Sequence, residues 1–162
     1  MQGGIFSYGL LAALAIALLV AAFTDLRRRQ IDNWLNAAIA LGAPLFWFAN
    51  GLSLVDIGYQ FAVAAGTFAV LIGLFAIRAM GGGDVKLLTA LALWIEPLWF
   101  LRLLFIMALI GGVLTIVVAA WHHGRRQSGK VAVPYGIAIS IAGIWTIASQ
   151  YLPAFHAGAH LG

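Results

Sequence analysis

Cysteine is absent from the 162-residue chain. Its absence excludes disulfides, thiol catalysis, iron–sulfur clusters and cysteine-ligated zinc. Charge is nearly as scarce: Asp, Glu, Lys and Arg together make up 9% of the residues, where a soluble domain carries about a quarter. That shortage excludes a soluble globular protein, a disordered chain and a nucleic-acid reader. Proline occurs four times, so long helices can form with few interruptions.

What remains is 64% hydrophobic, with a mean hydropathy of +1.02. Water cannot be the main solvent of such a surface. The composition implies an all-α, polytopic membrane protein. At roughly 20 residues per crossing the length allows five to seven helices with realistic loops. The net charge of +4 fits membrane topology and attraction to anionic lipid better than nucleic-acid binding. Arg27, Arg28 and Arg29 follow the first apolar run instead of preceding it. This is not a signal-peptide layout, and a retained first helix is expected.

Six apolar runs are expected to be transmembrane helices: residues 5–23, 34–48 (with Pro44), 57–80, Asp84 or Val85 to 94, 98–121 and 134–151. Gly81, Gly82 and Gly83 separate the third from the fourth. Glu96 and Pro97 separate the fourth from the fifth, and a basic loop precedes the sixth. With six crossings, Arg27, Arg28, Arg29, Arg78, Lys86, Arg125, Arg126 and Lys130 fall on one side and only Arg102 on the other. The positive-inside rule makes the first side cytoplasmic and puts both termini on the non-cytoplasmic side. The fourth run is short for a crossing, but the charge asymmetry needs it. Glycines such as Gly66, Gly111 and Gly112 read as close helix contacts. The whole chain, 1–162, reads as a single domain.

Only five residues are acidic. Asp56 and Glu96 fall at the outer boundary, where solvation accounts for them. Asp32, beside Asn33, suits a cap of the second helix. Asp25 closes the first helix and Asp84 opens the fourth, so the topology puts both at the same depth, at the cytoplasmic edge. A carboxylate near hydrocarbon is costly unless paired, solvated or protonated. Three readings of the pair are open: helix capping by Asp84, acid–base chemistry by two carboxylates sharing a proton, or a proton or ion path. The glycines before Asp84 permit unusual backbone angles and close approach of a substrate backbone. They lack the Gly-Lys-Ser/Thr ending of a phosphate loop. The four histidines form no convincing metal set, and no Ser/His/Asp triad is credible. No cofactor is called for.

Asp25-Leu26-Arg27-Arg28-Arg29-Gln30-Ile31-Asp32-Asn33-Trp34-Leu35-Asn36 resembles the first signature of the type IV prepilin peptidases. Gly81-Gly82-Gly83-Asp84-Val85-Lys86-Leu87-Leu88 resembles their GxGD signature, and Val133-Pro134-Tyr135-Gly136-Ile137-Ala138 the opening of their last helix. The three occur in family order. The resemblance implies an aspartic endopeptidase of the bacterial inner membrane that cuts the leader from prepilins or pseudopilins at the cytoplasmic face. It makes Asp25 and Asp84 the catalytic pair. Gly81, Gly83, Lys86, Arg27, Asn33, Asn36, Pro134, Tyr135 and Gly136 become the supporting motif positions. The short chain is similar to the Flp-type, tight-adherence branch, without a methyltransferase domain. The implied partners are a prepilin or pseudopilin helix, membrane lipids, and pilus or secretion machinery. Asp32 stands where many members carry proline. Two other classes compete: a small ion- or proton-coupled transporter, and a non-catalytic scaffold of a pilus or secretion complex.

Overall fold

A computed structural model describes residues 4–124 and 135–159. Among them every regular element is helical, in the order α1 (Ile5–Arg28), α2 (Asn33–Ala49), α3 (Leu54–Ala76), α4 (Gly82–Ala92), α5 (Pro97–Gly124) and α6 (Tyr135–Ala159). α1, α3 and the Pro97–Val118 part of α5 are each long and apolar enough to cross a membrane. Large hydrophobic side chains such as Phe48, Phe61, Val70, Phe105, Ile116 and Trp145 point outward from the bundle. That is the surface of a protein solvated by lipid.

The expected helices all form, but several ends differ. α1 runs past its apolar run to Arg28, because Leu26, Arg27 and Arg28 are good helix formers. Arg29 closes it in the left-handed region (φ 53°), and its N–H donates to the Asp25 carbonyl at 2.8 Å. Asp25 therefore lies inside the last turn of α1 and does not close it. α2 continues through Pro44 and stops at Gly51 (φ 64°). The Leu52 N–H returns to Trp47 O at 3.0 Å and the Gly51 N–H to Phe48 O at 3.1 Å, a Schellman ending. Asp32 occupies the N-cap position of α2, but its side chain makes no cap hydrogen bond.

α3 opens on a capping box: Ser53 N–H donates to Asp56 Oδ2 at 3.2 Å, and Asp56 N–H to Ser53 Oγ at 3.2 Å. Asp56 thus has a structural role beyond solvation. α3 ends at Ala76, four residues short of expectation. Its Schellman ending puts a non-glycine residue, Arg78, at φ 61°. The Arg78 N–H reaches Phe75 O and the Ala79 N–H reaches Leu74 O, each at 2.9 Å.

α4 is the most enclosed element. Asp84, Val85, Leu87, Leu88, Ala90, Leu91 and Ala92 are all buried, against α2, α3 and α6. Its 11 residues rise about 16 Å at 1.5 Å each, roughly half the hydrocarbon thickness. Such a helix leaves its last carbonyls inside the bundle, where each needs a partner. Side chains from three other helices supply them. Trp47 Nε1 donates to Leu93 O at 2.8 Å. Gln60 Nε2 donates to Ala92 O at 2.9 Å and Ile95 O at 2.7 Å. Tyr151 Oη donates to Trp94 O at 3.1 Å. Trp94 itself donates to Ile39 O at 2.8 Å and presses its ring against Gly42, where a Cβ would sit 2.8 Å away.

α6 closes the core by packing on both α1 and α5. It packs tightly at Gly143, where a Cβ would lie 2.9 Å from Leu18 and 3.5 Å from Leu91. Gly111 is used in the same way against the Tyr135 ring, at 2.9 Å. Gly66 and Gly112, also expected at helix contacts, face open space.

Candidate active site

The buried face of α1 is a helical stripe of Ser7, Leu11, Leu14, Leu18, Ala21 and Asp25. Asp25 is the last position of that stripe, so the periodicity that buries the leucines also turns its carboxylate inward. It is 6% exposed. The N-terminus of α6 meets it there. Gly136 N–H donates to Asp25 Oδ2 at 2.8 Å. A helix N-terminus carries unsatisfied N–H groups and a partial positive charge, which favour a carboxylate at this point. Arg29 adds a full positive charge nearby. Gly136 has no room for a side chain: a Cβ would come within 2.7 Å of Asp25 Oδ2 and 2.9 Å of its Cβ and Cγ.

Asp84 is the third residue of α4 and 9% exposed. The N-cap is Gly81, and no side chain caps the helix there. Asp84 is the third helical residue, and its carboxylate folds back toward the Gly81 backbone, the position from which an acidic side chain serves a helix N-terminus, so the capping reading stays open beside the chemical one. Asp25 is close enough for its charge to act on Asp84. Both carboxylates line the same two cavities, of about 430 and 640 Å³. The smaller is walled by Arg29, Gln30, Asp32, Asn33 and the glycine run. The larger is walled by Phe75, Ala76, Arg78, Ala79, Met80 and Tyr135.

The glycine run serves through missing atoms and not through unusual angles. Gly81 has φ −74°, and neither Gly82 nor Gly83 has a positive φ. A Cβ on Gly81 would lie 2.9 Å from Asp84 Oδ2. One on Gly83 would lie 3.3 Å from the side chain of Ile31 and 3.4 Å from its backbone nitrogen. Gly83 thus lets the segment after α1 lie directly on the start of α4.

The other motif residues are placed differently from one another. Asn33 and Lys86 meet: Lys86 Nζ donates to Asn33 Oδ1 at 2.8 Å, tying α4 to α2 at the surface. Asn36 is buried beneath Gly83, with Nδ2 at 3.5 Å from Gly83 O and Oδ1 without a partner. Tyr135 lines the larger cavity, its hydroxyl 3.4 Å from Thr115 Oγ1. Arg27 is not brought to the cavities. It is exposed and lies over the Phe23 ring at 4.8 Å. Arg29, expected mainly as a topology determinant and otherwise as a contact for acidic parts of a substrate, lines both cavities. Its spacing of four from Asp25 was the available signal, since residues four apart share a helix face. Pro134 lies outside the described residues, as do Arg125, Arg126 and Lys130. Among the described residues no group of three or more His, Asp or Glu side chains could hold a metal ion.

Fold and site together define a helical membrane protein with two buried carboxylates, from separate helices, facing shared cavities at one end of the bundle. The type IV leader peptidase family model matches residues 12–116, which include both aspartates, and the chain belongs to that family of peptidases. No curated protein and no solved structure gives a significant match.

Proposed function

We propose that this protein is an aspartic endopeptidase that removes the leader from type IV prepilins or pseudopilins, of the Flp type, at the cytoplasmic face of the bacterial inner membrane. The observation that carries the reading is the convergence of Asp25 and Asp84. Two carboxylates far apart in sequence are buried together, yet both face space large enough for a peptide.

In this reading a water molecule sits between the two groups. One carboxylate, ionised, takes a proton from the water as it attacks the scissile carbonyl carbon. The other, protonated, donates a hydrogen bond to the carbonyl oxygen and stabilises the charge that develops there. Collapse of the tetrahedral adduct breaks the C–N bond. A proton passes to the departing nitrogen, leaving the leader with a carboxylate end and the mature chain with an amine end. Water is the only co-reactant, and no cofactor enters.

Six crossings with both termini on the non-cytoplasmic side are part of the proposal. They are supported by the contacts at the ends of α4. Its first residues adjoin Ile31 and Asn36, at the start of α2. Its last adjoin Trp47, near the end of α2, and Gln60, near the start of α3. α4 and its following turn therefore connect the two ends of the bundle, despite its length. The substrate's apolar helix would remain in lipid while its leader enters from the aqueous side.

The test is cleavage of a precursor encoded beside this gene, in membranes or detergent. Asp25→Asn and Asp84→Asn should each abolish cleavage while the protein still accumulates folded, and Asp32→Asn should be far milder. Comparable cleavage by either motif variant overturns the dyad.

A further inference from the structure

The two cavities share Asp25, Arg29, Gly81 and Asp84, but their remaining walls differ in chemistry. The smaller continues into Gln30, Asp32 and Asn33, on the segment linking α1 to α2. Polar side chains and backbone face an occupant there, with Ile31 as the apolar exception. The larger continues into Phe75, Ala76, Ala79 and Met80, at and just after the end of α3, with Arg78 on the same segment and Tyr135 also lining it. That apolar wall does not stop at the cavity. Ile72, Phe75 and Ile77 are exposed on the same end of α3, so it merges with the surface that faces lipid. The carboxylate pair therefore stands at a boundary between a polar and an apolar compartment.

We propose that the substrate chain crosses the carboxylate pair in one fixed direction, its polar residues before the cut bond in the smaller cavity and its apolar residues after the bond in the larger. This rests on the endopeptidase reading above. A charged or amide-rich segment in the larger cavity would lose water against Phe75, Ala76, Ala79 and Met80 and regain fewer hydrogen bonds than in the smaller one, with Arg29, Arg78 and Tyr135 as its side-chain donors. An apolar segment there loses nothing and stays continuous with the lipid. The other grooves do not compete. The cavity of about 310 Å³ walled by Asn36, Ala40 and Phe68 reaches neither aspartate. The apolar groove of about 320 Å³ between Tyr8 and Ile147 also lacks both.

The absence of native cysteine makes the direction measurable. In an Asp84→Asn background, Gln30→Cys and Met80→Cys each place one thiol in one cavity. The probe is the membrane-inserted precursor that the unaltered protein cleaves, carrying a single cysteine either two residues before or two residues after the cut bond. Short-span cross-linking should capture the earlier position at Gln30→Cys and the later one at Met80→Cys. Reversed capture, equal capture of both positions, or no capture overturns the direction. A second measurement needs no trapping. Lysine introduced on the apolar side of the bond should lower kcat/KM of the unaltered protein by roughly tenfold or more. The same change on the polar side should cost less than about threefold. Met80→Glu should recover part of the loss for the first substrate alone. Equal losses, or a larger loss on the polar side, again overturn the proposal. If the unaltered precursor is not cut at all, the endopeptidase reading fails; if it is cut with the wrong pattern, only the direction fails.

Discussion

The two ends of α4 handle the same problem, polar atoms in a low-dielectric interior, in opposite ways. At the far end the carbonyls of Ala92, Leu93, Trp94 and Ile95 are each met by a side chain from α2, α3 or α6. That end is a closed hydrogen-bond network. At the near end two carboxylates are buried with few donors, and both open onto cavities. Buried polar groups are ordinarily satisfied because an unpaired one costs about 1–3 kcal/mol. A region that fills its partners is built for stability. A region that leaves carboxylate oxygens facing open space has kept them for something else. The contrast sets a satisfied polar region against an open one at the two ends of a single short helix and its following turn.

The sharpest way to break this contrast is to neutralise the near end. Asp25→Asn or Asp84→Asn is expected to lower precursor cleavage by at least about a thousandfold, with melting in detergent little changed. A large loss of folded protein instead would make these residues structural, like those at the far end. Next comes Gly136→Ala. Its added Cβ collides with Asp25 at under 3 Å, and a displacement of about 1 Å in a catalytic group costs on the order of a hundredfold in rate. Turnover should fall far more than thermal stability.

The far end should respond the other way. Gln60→Leu removes the donor to two carbonyls and should cost about 1–3 kcal/mol of stability. Cleavage per folded molecule should persist, as measured by melting and activity on the same sample. Trp47→Phe, which removes one such donor, should cost less. The smallest effect is expected at the surface pair. Lys86→Met breaks the bond to Asn33 but, as an exposed contact, should change cleavage by less than about threefold. A strong loss there would place Lys86 in substrate binding.

Much of this arrangement was legible in the sequence. Six apolar runs mark six helices, and the rarity of acids singles out Asp25 and Asp84 independently of any family likeness. Helix ends were less legible. The glycine run was the obvious stop for α3, yet the chain turned earlier at Arg78, a residue type that rarely takes a positive φ. α1 outran its apolar segment because arginine side chains can extend toward water while their backbone remains helical. The choice of Arg29 over Arg27 depended on helix phase, which a run of three arginines conceals. In the sequence, Gly136 is marked only by motif likeness. Its physical reason is a contact with Asp25 from the opposite part of the chain, which no local pattern encodes. The protein cover of α4 was hidden as well, since hydropathy cannot tell a lipid neighbour from a leucine.

The clamped far end of α4 also fixes a gauge. With Ala92 to Ile95 held by three neighbouring helices, the number of residues back to Asp84 determines where that carboxylate points. One inserted or deleted residue between them would swing it by about 100° and shift it by about 1.5 Å, away from its counterpart on α1. If the proposed dyad is right, the span between grip and acid is a working dimension of it, and its length should tolerate change far less than the loops that join the helices.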